Sequence, residues 1–201
     1  MKTGNHDKHL FEYTRVLKRI FDIVFAIAVL VIVFPLILLI AIAIKSESRG
    51  PVFFRHTRVG RNGIEFKMWK FRTMVDGSHL NGPQLTQDGD RRITGLGKIL
   101  RRMSLDELPQ LFNVLQGNMS VVGPRPEIPE IVRSYTAQQK RAISVKPGIT
   151  GLSQVNGRDD LPIDRKLNYE VEYVENLSLQ LDLAILIKTI PAIISGRGTR
   201  Y

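Results

Sequence analysis

From Ile23 to Ile44 the chain runs for 22 residues without a charge, IVFAIAVLVIVFPLILLIAIAI. Such a run reads first as a membrane segment: as one straight helix it would rise roughly 33 Å, against a bilayer core of about 30 Å. Two features argue against a simple span. Pro35 falls just past the middle, where it removes a backbone donor and predicts a kink. Arg15, Lys18 and Arg19 precede the run and Lys45 and Arg49 follow it, so the positive-inside rule prefers both flanks on the cytoplasmic side. A re-entrant helix, broken at Phe34–Pro35 and leaving through the leaflet it entered, satisfies both. The alternatives are a plain transmembrane span, a buried soluble helix, and a signal peptide cleaved after AIA at 41–43. The last is opposed by the length of the stretch and by Lys45 close behind it.

Beyond this segment the pattern changes. PVFFRHTRVGRNGIEFKMWKFRTM, residues 51–74, holds two β-rich runs around Asn62-Gly63 and predicts a hairpin. Val75 to Arg92 reads as a loop, and GLGKILRRM as a short basic helix. Leu108, Leu111, Phe112 and Leu115 share one face of a predicted helix over 107–115, which Gly117 ends. The prolines of VVGPRPEIP impose an irregular stretch, and KPGITG reads as a turn. Residues 130–144 and 164–176 read as helices, and 182–194 as an amphipathic to apolar helix ending at Pro191 or Gly196. The expected class is α+β, mostly α, with a small β-hairpin and amphipathic interfacial helices. Three regions are expected: a polar N-terminus with a basic lead-in over 1–22, the membrane-embedded helix over 23–44, and a compact domain over 45–201. The linking stretch IAIKSESRGPVFF is too short to hold that domain far from the bilayer.

Charge sharpens the picture. The 201 residues carry a net +10, which points to acidic partners: nucleic acid, anionic lipid or phosphorylated substrates. The chain has no cysteine, which excludes disulfides and thiolate chemistry. No G-x-x-x-x-G-K-[ST] or H-E-x-x-H is present, and the four histidines lack metal-ligand spacing. Phe66, Trp69 and Phe71 in the basic hairpin read as core packing rather than as a surface for stacking bases.

The chemistry concentrates in SLDELPQLFNVLQGN, residues 104–118. Asp106 and Glu107 have two readings. In the first, Ser104 and Glu107 form an S-x-x-E capping box and Asp106 is itself an N-cap. In the second, an aspartate at a helix N-terminus attacks phosphorus while its neighbour holds a divalent metal. Arg101 and Arg102 just before the dyad, Arg125 between two prolines, and Lys70 and Arg72 in KFRTM favour the second. Guanidinium forks match phosphate oxygens, and diphosphate chemistry needs both cations and a nucleophile.

KRIFDIVFA, the hairpin stretch, LRRMSLDELPQLFNVLQGNMSVVGPRP and KPGITGLSQVNGR together resemble the bacterial sugar transferases, the small monotopic polyprenyl-phosphate phosphoglycosyl transferases. The likeness runs from about residue 18 to 190. It implies transfer of sugar-1-phosphate from a UDP-sugar to undecaprenyl phosphate, with Mg2+ required and UMP released. It implies Asp106 as a nucleophile forming a phosphosugar-enzyme intermediate, and Glu107 as an aid in holding the metal. Arg101 and Arg125 match positions expected near phosphate, and Asp182 matches a further acid of the site. The implied partners are the UDP-sugar, undecaprenyl phosphate and lipid of the bacterial inner membrane at its cytoplasmic face, with no nucleic acid. The family often breaks its membrane helix with Ser-Pro; here the pair is Phe34-Pro35. The rival reading is a membrane-anchored basic module that binds lipid or nucleic acid without turnover. Neither the sugar nor the oligomeric state is legible.

Overall fold

The computed structural model describes residues 16–78, 87, 89–196, 198 and 199. The predicted polar N-terminus over 1–14, Arg15, and residues 79–86 and 88 of the predicted loop lie outside them. Helix α1, Lys18–Glu47, contains the whole apolar run and carries Pro35 inside it. The helical assignment does not divide at Phe34–Pro35, so the expected break is not a break into two elements. It is one helix long and apolar enough to cross a membrane.

One stripe of α1 packs on the rest of the chain along its full length. Ala26 is buried near its start, and Ile37, Ile40 and Ile44 toward its end, at helical spacing. The opposite face leaves Val24, Val31, Ile32, Phe34, Leu38, Leu39 and Ile42 exposed. The charges of the lead-in are spent inside the protein. Lys18 pairs with Asp182, and Arg19 donates to Val114 O (2.6 Å) and Leu115 O (2.8 Å). Asp22 Oδ1 accepts from Ser120 Oγ and from the Val121 N–H. Lys18 and Arg19, the basic lead-in to the apolar run, both turn inward, because Asp182 and the orphan carbonyls of a helix C-terminus attract them.

Strands β1 (Phe53–Val59) and β2 (Glu65–Phe71) form the predicted antiparallel hairpin. Asn62 and Gly63 both take positive φ at its tip, as their residue types allow. Phe66 and Phe71 are buried, while Trp69 lies under the Arg55 guanidinium at 3.9 Å. Helix α2, Gly95–Arg102, starts at Thr94, whose side chain accepts from the Gly97 N–H. A 3-10 turn, Leu105–Glu107, follows, and then α3, Gln110–Gln116, which Gly117 ends in the left-handed conformation.

Two three-residue strands were not expected. β3, Ser120–Val122, pairs in parallel with β4, Gly148–Thr150. Thus the starts of VVGPRPEIP and the KPGITG "turn" are the two halves of one small sheet. A Cβ on Gly148 would collide with the backbone of Gly123, so the close approach beside this pair needs glycine. The predicted helix 130–144 is two pieces, α4 (Pro129–Arg133) and a 3-10 turn over Gln139–Ser144. Then come α5 (Leu152–Val155), α6 (Ile163–Glu175) and α7 (Leu179–Ser195). The last begins on the Ser178 cap and passes through Pro191 to Gly196.

The main core unites Ala26 of α1 with Met68, Leu111, Val114, Val122, Tyr173 and Ile185. Each such fully buried aliphatic or aromatic side chain contributes about 1.5–3 kcal/mol by leaving water. The membrane-type helix is therefore part of the domain's core, not a tether to it.

Candidate active site

The dyad occupies the 3-10 turn rather than the first turn of an α-helix. Ser104 adopts φ 54°, which ends α2, and Pro109 delays α3 until Gln110. The expected capping box is absent: Ser104 makes no side-chain cap and its hydroxyl accepts from Arg158 Nη1 at 3.0 Å. Asp106 is not an N-cap either, and its side chain is only 10 % exposed.

Packing brings the cations in. Asn113 of α3, fully buried, donates from Nδ2 to Lys67 O and accepts the Trp69 N–H on Oδ1. This side chain clips α3 to β2 and sets the next strand residue, Lys70, beside the dyad. Lys70 Nζ lies 2.7 Å from Glu107 Oε1 and 3.6 Å from Asp106 Oδ2. Arg125 enters from the loop after β3, with Nη1 3.6 Å from the same Glu107 oxygen. Arg101, on the last turn of α2, donates from Nε to Thr73 Oγ1 at 2.9 Å and lies within the electrostatic reach of Asp106.

These surroundings push the two acids apart. Burial raises the Asp106 pKa, Lys70 opposes it, and Glu107 adds to the rise. Burial acts in the same direction on Glu107, but Lys70 and Arg125 outweigh it and bring Glu107 down to about 2. Asp106 therefore ionises less readily than an aspartate on an open helix N-terminus: it sits on a 3-10 turn, buried, beside a second carboxylate. Neighbouring acids with divergent pKa values are a hallmark of divided roles.

Of two further predicted residues, Arg72 lines the same cleft but spends its guanidinium on the end of α1, and Asp182 stands apart from it. Arg72 is buried at the end of α1, its guanidinium donating to the carbonyls of Ser48 and Arg49 and to Ser48 Oγ. It clamps the helix end, where free carbonyls need donors. Asp182 is wholly buried under α1, paired with Lys18 and 2.7 Å from the Tyr173 hydroxyl. It does not line the cleft that holds the dyad. Conversely, several cations of that cleft went unassigned, among them Arg58, Arg158 and Lys166. Arg158 stood in the quoted VNGR, where a glycine before an arginine signals an unusual backbone; both have positive φ. Arg58 on the hairpin and Lys166 on α6 gave no local signal.

The cleft measures about 1100 Å³. Asp106, Glu107, Lys70, Arg101, Arg125 and Arg158 line it, and so do Phe25 and Val29 of α1 and Leu186 and Ile193 of α7. It thus offers both charged and apolar side chains to a ligand. Among the described residues no three His, Cys, Asp or Glu side chains gather to hold a metal. Two adjacent carboxylates nevertheless fit Mg2+, which is commonly bound through one or two carboxylates together with substrate phosphates.

Comparison with known proteins supplies the family. A model of the bacterial sugar transferase family matches residues 13–196. Exopolysaccharide production protein ExoY of Sinorhizobium fredii is 38% identical over 201 residues, covering 90% of this chain and 87% of that protein. The UDP-N-acetylgalactosamine-undecaprenyl-phosphate N-acetylgalactosaminephosphotransferase of Aeromonas hydrophila is 42% identical over 92% of this chain. The UDP-glucose:undecaprenyl-phosphate glucose-1-phosphate transferase of Klebsiella pneumoniae is 40% identical over 92% of it. The chain spans 45% and 41% of the lengths of these last two relatives. The chain belongs to the bacterial sugar transferase family. It is an enzyme of the sugar transferase class, in which the Aeromonas and Klebsiella relatives are named for transfer to undecaprenyl phosphate.

Proposed function

We propose that the protein transfers sugar-1-phosphate from a UDP-sugar to undecaprenyl phosphate and so begins a surface polysaccharide or glycoconjugate. The observation that carries this reading is the shared cleft, lined both by a carboxylate dyad among cations and by apolar residues of α1 and α7. A polyprenyl phosphate needs both kinds of lining at once, and a nucleic-acid-binding module needs neither the buried dyad nor the apolar lining. In this reading an Asp106 carboxylate oxygen attacks the β-phosphorus of the UDP-sugar. The bond from that phosphorus to the bridging oxygen breaks, and UMP leaves with the electron pair. A phosphate oxygen of the lipid then attacks the same phosphorus, and Asp106 is released as carboxylate. Lys70, Arg125 and Arg101 neutralise phosphate charge as it develops. Mg2+, held by Glu107 and Asp106 with the donor's phosphates, would supply further charge neutralisation.

We also propose a monotopic seat on the cytoplasmic face of the inner membrane, with α1 re-entrant. A helix of 30 residues rises about 45 Å if straight, yet the same domain grips both of its ends. Lys18, Arg19 and Asp22 hold the start; Arg72 and the Glu47 carboxylate, which accepts the Leu96 N–H, hold the finish. One compact domain on one side of a bilayer cannot hold both ends of a spanning helix. The outward stripe of α7, Leu179, Leu183, Ile187, Ile190 and Ile194, adds a second exposed apolar surface at helical spacing.

The test is a screen of UDP-sugars with undecaprenyl phosphate, scored by UMP. Incubation with donor alone should release UMP once per enzyme and leave a sugar-phosphate mass on the peptide containing Asp106. Asp106→Asn should lose turnover by several orders of magnitude while melting normally. A dead asparagine variant without any trapped adduct would favour direct transfer in a ternary complex.

A further inference from the structure

Two residues of unusual backbone meet beside the dyad. Among the described residues three non-glycines take positive φ: Asn62 at the hairpin tip, Ser104 (54°) and Arg158 (52°). Positive φ is uncommon for a residue with a side chain and persists where the surrounding structure imposes it. Ser104 stands just before the 3-10 turn that carries Asp106, and Arg158 Nη1 donates to its hydroxyl at 3.0 Å. Two of the three are therefore bonded to each other, although they lie far apart in the chain.

The same nitrogen holds a third segment. Nη1 also donates to Thr199 Oγ1 at 3.1 Å. Thr199 lies past Gly196, which ends α7, and beyond the stretch that the family model matches. The backbone there is docked as well. The Asp159 N–H donates to Gly198 O at 3.2 Å, and a Cβ on Gly198 would run into Gly157 O and Arg158 Cβ. Glycine permits that close approach. Arg158, Gly198 and Thr199 all line the cleft that holds the dyad.

Arg158 depends on these two bonds. Among the described residues it forms no ion pair, and its Nε is buried without a hydrogen-bond partner. Neighbouring cations of the cleft spend their charge on carboxylates: Lys166 on Asp159 at 2.8 Å, Arg58 on Glu127 at 3.7 Å, and Lys70 and Arg125 on Glu107. Arg158 is held by two neutral hydroxyls instead, so its charge stays available to an anionic ligand. One such bond would leave the guanidinium a pivot; two fix its direction.

We propose that Thr199 is a positioning residue: its hydroxyl, together with that of Ser104, aims the Arg158 guanidinium into the cleft beside the dyad, so that the segment after α7 completes the active site. Thr199 acts through Arg158. The proposal rests on the reading of the dyad as the transferase site.

Substitutions at Thr199 test it, with UMP release as the rate and a melting curve for every variant. Thr199→Val keeps the shape and removes the acceptor. Its kcat should fall roughly tenfold, the scale of one lost hydrogen bond to a charged group, in a protein that still melts cooperatively. Thr199→Ser keeps the acceptor and should recover most of that loss. A packing role predicts the reverse order, with valine active and serine slow. On an Arg158→Met background, which has no guanidinium to aim, the valine change should cost less than about twofold; enzyme in excess over donor makes that slow reaction readable. Gly198→Ala, whose Cβ pushes the segment off Arg158, should slow the enzyme at least as much as Thr199→Val. Wild-type kcat in the valine or the Gly198→Ala variant would overturn the proposal, as would serine as slow as valine. A valine loss of equal size on both backgrounds would overturn it too, making Thr199 a substrate contact in its own right. If the methionine background shows no turnover, the valine–serine order decides. Wild type that releases no UMP from any UDP-sugar would instead defeat the functional reading, and the positioning role with it; that result is distinct from a reversed valine–serine order in an active enzyme.

Discussion

The Lys70 ammonium bridges the dyad, 2.7 Å from Glu107 Oε1 and 3.6 Å from Asp106 Oδ2. It is the foremost charge holding the Asp106 pKa down against burial. Lys70→Met should therefore raise the Asp106 pKa further and move the acid limb of the pH–rate profile upward. Loss of one charge-stabilising donor should also cost about a hundredfold in kcat at neutral pH. An acid limb unmoved by this substitution would mean that Asp106 is not the group titrating there.

Glu107 makes an opposite contribution at low pH. Its pKa falls from an ordinary 4.5 to about 2 in the fold. The stabilisation this represents is complete above the ordinary value and is lost as pH falls through the folded one. Glu107→Gln should melt below wild type at neutral pH, and the gap should close between about pH 4.5 and 2. The raised Asp106 works the other way, penalising the fold as it ionises, so Asp106→Asn should melt at or above wild type at neutral pH. Thermal melts of both variants across that range check the signs; a Glu107→Gln gap that widens on acidification would sink the assignment.

The pair Lys18–Asp182 separates structure from catalysis. Asp182 is wholly buried away from the cleft, between Lys18 and Tyr173. Asp182→Asn leaves the Lys18 ammonium buried without its counter-charge, a change that typically costs 3–5 kcal/mol. The folded fraction should nonetheless keep kcat and KM close to wild type. Lys18→Met combined with Asp182→Leu should recover much of the melting temperature, because removing both charges is far cheaper than stranding one. A stable Asp182→Asn protein with collapsed kcat would restore this acid to the reaction.

What was legible beforehand was local. Asn62-Gly63 announced the β1/β2 turn because its backbone demand is met by those two residue types. The apolar periodicity of 164–176 found α6 to within a residue at each end. β3 and β4 escaped because each is three residues long and their pairing joins segments far apart in the chain. Lys70, Glu107 and Arg125 were legible as residue types, but their meeting depends on Asn113 clipping α3 to β2. Ser104 and Glu107 matched the capping-box spacing, yet Pro109 and a tertiary partner, Arg158, overrode it. Arg72 and Asp182 carry charges whose destination is set by α1, and pattern alone could not distinguish a clamp from a substrate contact.

Topology supplies the last prediction. Both ends of α1 are fastened to one domain, by Lys18 and Asp22 at the start and by Arg72 and Glu47 at the finish. If that domain lies in the cytoplasm, residues at each end of the helix lie there too. The chain has no cysteine, so Val16→Cys and Ser46→Cys each introduce a single reporter at an exposed position. Neither should react with a membrane-impermeant thiol reagent in cells with an intact inner membrane, and both should react once it is opened. Labelling at one end alone in intact cells would establish a span and refute the re-entrant helix. Pro35→Ala tests the proline's part in that topology. It restores an N–H to the helical ladder and removes the ring's clash with the preceding turn. If the re-entrant seat depends on the proline, the expected result is weaker membrane retention or lost turnover in a protein that still folds. Pro35→Ala with wild-type labelling and wild-type UMP release would show that the two end clamps hold the topology without help from the proline.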